Sequence, residues 1–280
     1  MAIDILRVVK QVIEVRGLNS IVVGATARDI LLTHVHGLPA TRATRDIDFA
    51  LAVADWRQFD EIRADLGHQE GFRLDQNIPH RIYYQPDQRQ PYPLDLVPFG
   101  GVANPDQIVS WPPDMKVLMN VAGYAEVADA AESVEISDEL VVKVASLPGL
   151  ALLKLFAWQD REPGNTKDAE DLLTLMSRYT EAGNRDRIFD ELEDDLLDEL
   201  GYDVDDAGTL LLGKDIVKLA SREALAQSIA LLSDMGRFHR LSIHMARTRA
   251  NVDDGIELAV RSLNLLKRGL NTSSALASTK

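Results

Sequence analysis

Two aspartates stand two residues apart in the run Arg45-Asp-Ile-Asp-Phe-Ala-Leu-Ala-Val53. In a β-strand alternate side chains share a face, so Asp46 and Asp48 project together, roughly 6–7 Å apart at about 3.3 Å per residue. Two carboxylates so placed can hold one or two Mg²⁺ ions, which take oxygen ligands from a few carboxylates and from substrate phosphates. About twenty residues upstream stands Gly24-Ala-Thr-Ala-Arg28-Asp-Ile-Leu-Leu32. A glycine between a strand and a helix leaves backbone N–H groups open to phosphate. Downstream, Asp95 interrupts the apolar run Pro93-Leu-Asp-Leu-Val97. A charge inside such a strand is costly unless it is paired or metal-bound, which makes Asp95 a third candidate ligand. Three carboxylates and two metal ions are the parts of a phosphoryl-transfer site.

A second set lies further on, in Leu152-Leu-Lys154-Leu-Phe-Ala-Trp-Gln-Asp-Arg161 and Lys167-Asp168-Ala-Glu-Asp171-Leu172. Lys154 and Arg161 fall on one helical face, and Asp168 and Asp171 share a face of the following helix. Lys154 otherwise has apolar neighbours, so it needs an anionic partner. That partner is either a nucleotide phosphate or the Asp168/Asp171 pair, and the spacing leaves both open.

Elements of definite type must carry these residues. Apolar spacing predicts a helix over 3–16, a buried strand over 20–24, a helix from Ala25 to about His34 and a strand from 43 to Val53. Asp55 can cap a helix through Leu66, and strands follow near 81–84, 92–98 and 139–145, with a loop over 99–115. From residue 146 the period becomes helical, with helices near 147–159, 166–179, 186–200, 212–221, 222–235, 237–249 and 251–269. The expected fold is therefore α/β (α+β). A small mixed-sheet domain over 1–145 precedes an all-helical domain over 146–270, and a disordered polar tail follows over 271–280.

These motifs resemble the polymerase-β-type nucleotidyltransferase superfamily, whose members carry a glycine turn, then Asp-x-Asp, then a third aspartate. The Lys154…Arg161…Lys167-Asp168-x-x-Asp171-Leu172 pattern is further similar to the AbiEii-type nucleotidyltransferases, toxin halves of toxin–antitoxin pairs. This likeness covers roughly residues 15–180. It implies transfer of a nucleoside monophosphate from an NTP, with two Mg²⁺ ions as cofactor and Asp46, Asp48 and Asp95 as ligands. Asp95 would also accept the proton of the attacking hydroxyl. Gly24, Ala25 and Thr26 would cradle the phosphates, with Ala25 standing where the family commonly has serine. Lys154 would contact nucleotide phosphates, with Asp168 and Asp171 near the site. The acceptor would be RNA, such as a tRNA 3′ end, and an antitoxin would be the protein partner.

Composition narrows the setting. The 280 residues are 46% apolar and 26% charged, ordinary for a globular protein, with a net charge of −14. That charge argues against a broadly basic nucleic-acid surface and suits a small-molecule acceptor at least as well as RNA. A degenerate domain that binds nucleotide or a partner without catalysis is the rival from another class, disfavoured by the intact carboxylate set. There is no cysteine, and neither a membrane-length apolar run nor a signal-peptide pattern, so a cytoplasmic location is expected.

Weaker signals remain. Arg28 and Arg45 could contact phosphate, and Arg28 could equally pair with Asp29 or Asp46. Tyr83, Tyr84 and Tyr92 could stack on a base but suit cross-strand packing better. His34-Val-His36 could be read as a metal pair but suits surface positions near a helix end better, and His239 and His244, five apart, do not share a helical face. The acidic run over 186–206 reads as one amphipathic helix through Leu192, Leu196 and Leu200 with a solvated face, or as a dock for a basic partner.

Overall fold

The computed structural model describes residues 2–40, 45–87, 90–162, 164–247 and 252–272. The chain divides into two compact units, Met1–Val35 with Arg42–Ser146, and His36–Thr41 with Leu147–Lys280.

The first unit opens with α1 (Ala2–Val15), β1 (Ser20–Val23) and α2 (Gly24–Asp29), which runs on into a π-helical stretch over Ile30–Val35. Then come β2 (Ile47–Val53), α3 (Trp56–Gly67), β3 (Phe72–Leu74), β4 (Arg81–Tyr84) and β5 (Tyr92–Gly100). The unit closes with β6 (Ile108–Ser110), β7 (Leu118–Asn120), α4 (Tyr124–Asp129), β8 (Glu132–Ser137) and β9 (Leu140–Val144). Seven of the described strands form one mixed sheet in the order β3-β4-β5-β2-β1-β9-β8, and β6 and β7 make a separate ribbon. The β2/β5 and β1/β9 pairs are parallel and the others antiparallel. β2 is nearly continuous in apolar residues because it lies in the middle of the sheet, with Ile47, Phe49, Ala50, Leu51 and Val53 all buried. Burying a side chain such as Phe49 stabilises the fold by about 2 kcal/mol. α1 buries Ile5, Leu6, Val9 and Ile13. In α3 the Asp55 carboxylate accepts from the Gln58 N–H at 2.8 Å, and Phe59, Ile62 and Leu66 form the buried stripe.

The regular elements described in the second unit are all helices. α5 (Leu147–Arg161) and α6 (Lys167–Arg178) are followed by a π-type turn over Thr180–Asn184, with Gly183 at φ +79°. Then follow α7 (Arg185–Glu191), α8 (Asp194–Glu199), α9 (Val204–Leu219), α10 (Arg222–Ser233), α11 (Met235–Ala246) and α12 (Val252–Leu270). α9 and α12 cross closely at two glycines. A Cβ on Gly213 would lie 2.5 Å from the Leu266 carbonyl oxygen, and one on Gly269 would lie 2.3 Å from that of Leu210.

Several elements differ from expectation. The helix expected over 186–200 is two, because Leu192 and Glu193 take extended backbone angles and turn the chain. Leu197, rather than Leu196 or Leu200, is then the buried residue of α8. α9 begins eight residues before the expected 212, where Asp203 caps it by accepting from the N–H groups of Asp205 and Asp206. The expected loop over 99–115 contains the end of β5 and all of β6. β3, β7, α4 and β8 were not anticipated. Most of the polar tail, residues 273–280, and residues 43–44 of the strand expected from 43 lie outside the described residues. No described helix is long and apolar enough to cross a membrane.

Candidate active site

Strand register builds the site of the first unit. β2 and β5 run parallel with Asp48 opposite Asp95, and β4 runs antiparallel to β5 with Arg81 opposite Asp95. β1 sets Val23 opposite Asp48. Val23, Asp48, Asp95 and Arg81 thus form one row across the sheet, and residues opposed in register share a face. Neighbouring strands lie about 4.8 Å apart, which brings the Asp48 and Asp95 side chains side by side. Asp46 precedes β2 by one residue and is exposed.

Gly24 follows Val23 and bends the chain from β1 into α2 at φ +67°. A Cβ there would lie 2.2 Å from Asp48 Oδ2 and 3.0 Å from its Cγ. Both the left-handed angle and the contact demand glycine, which sets bare backbone against the carboxylate. Thr26 ties the same turn to the Asp-x-Asp segment, its hydroxyl donating to the Asp46 carbonyl at 2.7 Å. A hydroxyl has one proton to give, so in this arrangement Thr26 braces the turn.

Asp95 is held by Arg81. The guanidinium donates from Nε to Oδ1 at 2.8 Å and from Nη2 to Oδ2 at 2.6 Å, a two-pronged pair. The hydrogen bonds it donates to Asp95 raise the Arg81 pKa in spite of partial burial. Among the described residues no three His, Asp or Glu side chains are grouped closely enough to hold a metal ion. The oxygen donors of Asp46 and Asp48 suit Mg²⁺ by chemistry.

The other candidates of this unit are engaged locally. Arg28 is buried and donates to Asp29 Oδ1 from Nε at 2.9 Å and Nη2 at 2.6 Å, so of its open alternatives the Asp29 pair is formed. Arg45 bonds Gln90 Oε1 and lies over the Tyr92 ring, 5.0 Å from its centroid. Tyr83 packs under Arg73, and Tyr84 meets Phe72 with ring centroids 4.8 Å apart. These are the cross-strand roles. His80 packs on Trp111 at 5.1 Å, and its burial pushes its pKa down. His34 Nε2 lies 2.8 Å from the Glu135 carbonyl oxygen.

In the second unit, α5 carries Lys154 and α6 carries Asp168 and Asp171. Lys154 Nζ lies 2.9 Å from Asp168 Oδ1 and 2.7 Å from Asp171 Oδ2, with all three residues buried. Of the two partners left open by the spacing, the carboxylates occupy the lysine here. Burial lowers the Lys154 pKa and the two carboxylates raise it, and the net shift is upward. Arg161 Nη2 approaches Asp168 Oδ2 at 3.1 Å, but not in line to donate, so that buried oxygen lacks a hydrogen bond.

Two clusters emerge only from the structure. In the sequence Arg81 is simply part of a strand, because its partner lies fourteen residues away and only the register pairs them. The other surrounds buried Asp215, which accepts from Tyr179 at 2.5 Å, Arg187 at 2.9 Å and Lys218 at 2.8 Å. The available signal is an aspartate between the apolar Leu210-Leu-Leu212 run and Ile216-Val217 of α9, with Lys218 three residues on. In α5, Trp158 Nε1 donates to His244 Nδ1 at 3.0 Å, which gives that histidine a packing role.

A family model described as nucleotidyl transferase AbiEii toxin, type IV toxin–antitoxin system, matches residues 18–248. No curated protein sequence matches the chain. Among solved structures, an antigenic nucleotidyltransferase-like protein from Paracoccidioides brasiliensis aligns at 16% identity and TM-score 0.42, over 62% of this chain and 74% of that one. ANT(2")-Ia in complex with adenylyl-2"-tobramycin aligns at 15% identity and TM-score 0.37, over 66% of this chain and 98% of that one. Neither likeness is close enough to carry weight.

Proposed function

The chain belongs to the AbiEii nucleotidyltransferase family, and from that premise we propose that it moves a nucleoside monophosphate from an NTP to an acceptor hydroxyl, with Mg²⁺ held at Asp46 and Asp48. The observation that carries this reading is Gly24. It is a glycine at φ +67° with no room for a Cβ beside Asp48 Oδ2, so phosphate-binding backbone and metal-binding carboxylate meet at one point. The acceptor oxygen would attack the α-phosphorus as the bond to the bridging oxygen breaks, and pyrophosphate would leave. The hydroxyl proton would pass to Asp95 or to solvent. Bound at Asp46 and Asp48, Mg²⁺ would supply positive charge to the triphosphate and the leaving pyrophosphate. Gly24 and Ala25 would present backbone N–H groups to the phosphates, while Thr26 holds the turn against Asp46. Lys154, Asp168 and Asp171 would act as a closed ion triad that fixes α5 on α6.

The family's toxin–antitoxin description supports a cognate antitoxin as partner, while an RNA acceptor, such as a tRNA 3′ end, is what the resemblance read in the sequence implies. The net charge of −14 favours a second reading, a small-molecule acceptor. Each α-labelled NTP, with Mg²⁺ and either total RNA or a small-molecule extract, separates them. The first reading expects ribonuclease-sensitive label in RNA, and the second expects label in the extract. Label in neither, from folded protein, would overturn the transfer reading.

A further inference from the structure

The sheet register sets the Arg81 cation against the carboxylate row. Its backbone is fixed by a tight turn, in which the Asp75 carboxylate accepts from the N–H groups of Asn77 at 2.7 Å and Ile78 at 2.9 Å. The Arg81 N–H donates to the Ile78 carbonyl at 3.0 Å, and the Arg81 carbonyl accepts from the Asp75 N–H at 3.0 Å. From that anchored start of β4 the side chain reaches across to both oxygens of Asp95, which is itself opposite Asp48. Asp95 beside Asp48 places two like charges on adjacent strands, and the fork neutralises that of Asp95. A metal ion shared by Asp48 and Asp95 would have to displace that fork or sit beside its positive charge. The Arg81 side chain is 28% exposed, so it has a path to solvent, whereas that of Asp95 is 14% exposed and stays in the row.

We propose that Arg81 is a positioning residue that withholds Asp95 from the metal set, so that loading the third carboxylate is an exchange of the Arg81 fork for the ion. This rests on the assignment of Mg²⁺ to Asp46 and Asp48 made above. Arg81 stabilises the metal-free row and sets the ion concentration at which all three carboxylates act together. Arg81 is therefore a determinant of metal affinity without being a ligand.

Direct titration with Mn²⁺ in the absence of nucleotide, followed by electron paramagnetic resonance, tests this without reference to activity. Arg81→Met should bind Mn²⁺ about tenfold or more tightly than the wild type, because a bare carboxylate attracts a cation that a paired one does not. Adding Asp95→Asn to Arg81→Met should remove the gain. Arg81→Lys keeps the charge but cannot fork, and its affinity should fall between the two; it also carries the test should Arg81→Met fail to fold. Unchanged or weaker Mn²⁺ binding in the folded Arg81 variants overturns the inference. Asp48→Asn separates it from the reading beneath. Where Asp48→Asn loses Mn²⁺ and the Arg81 variants match the wild type, only the exchange fails. Where Asp48→Asn binds like the wild type, the metal assignment fails with it.

Discussion

At the scale of single residues, Lys154 shows how burial decides a role. A lysine ammonium in an apolar helix face is expensive, and here two carboxylates at 2.9 and 2.7 Å offset the cost. Removing the cation leaves both carboxylates buried without it. Lys154→Met should therefore lose about 3 kcal/mol of stability, read as a lower urea midpoint, and Lys154→Met with Asp168→Asn and Asp171→Asn should recover most of it. The pH dependence has a definite sign. The folded pKa of Lys154 is raised, so its contribution is whole below the ordinary lysine value of 10.5 and fades as pH rises through the higher folded value. Unchanged stability in Lys154→Met with weakened NTP binding would instead make the lysine a phosphate contact.

At the scale of elements, α9 and α12 show what a close helix crossing requires. The two helices approach at Gly213 and Gly269, where a Cβ would meet carbonyl oxygens at 2.5 and 2.3 Å. Gly213→Leu should force them apart at a cost of about 1–3 kcal/mol, seen in the urea midpoint. An unaltered midpoint would mean the crossing yields without strain. The elements also show what the sequence makes legible. β1, β2, β4, β5 and β9 could be read from short apolar runs, and α1 and α3 from their 3.6-residue stripes. β3, β6 and β7 have three residues each, too few to display a period. β8 reads Glu-Ser-Val-Glu-Ile-Ser and buries only Val134, as an edge strand can. The break at Leu192 was hidden because leucine spacing continues through it, although the start of α9 was marked by Asp203. Asp46, Asp48 and Gly24 could be found from local spacing. Arg81 could not, since its meaning comes from a register that no local window contains.

At the scale of the whole molecule, the family match spans parts of both units, which makes the helical unit part of the family's architecture. The net charge of −14 works against any polyanion that approaches, over a Debye length of about 10 Å at 0.1 M salt. On the proposed reading, binding of an NTP would therefore rest on local features, the glycine turn and the carboxylates that would hold Mg²⁺. The most direct measurement is transfer of label from α-labelled NTP, with Mg²⁺, by wild type and by Asp48→Asn, each shown to be folded by its urea midpoint. Asn keeps the shape of the side chain and removes its charge. The account predicts that Asp48→Asn keeps its fold and loses at least about a hundredfold in transfer rate, more than 2.7 kcal/mol of transition-state stabilisation. Transfer by Asp48→Asn at the wild-type rate would contradict it.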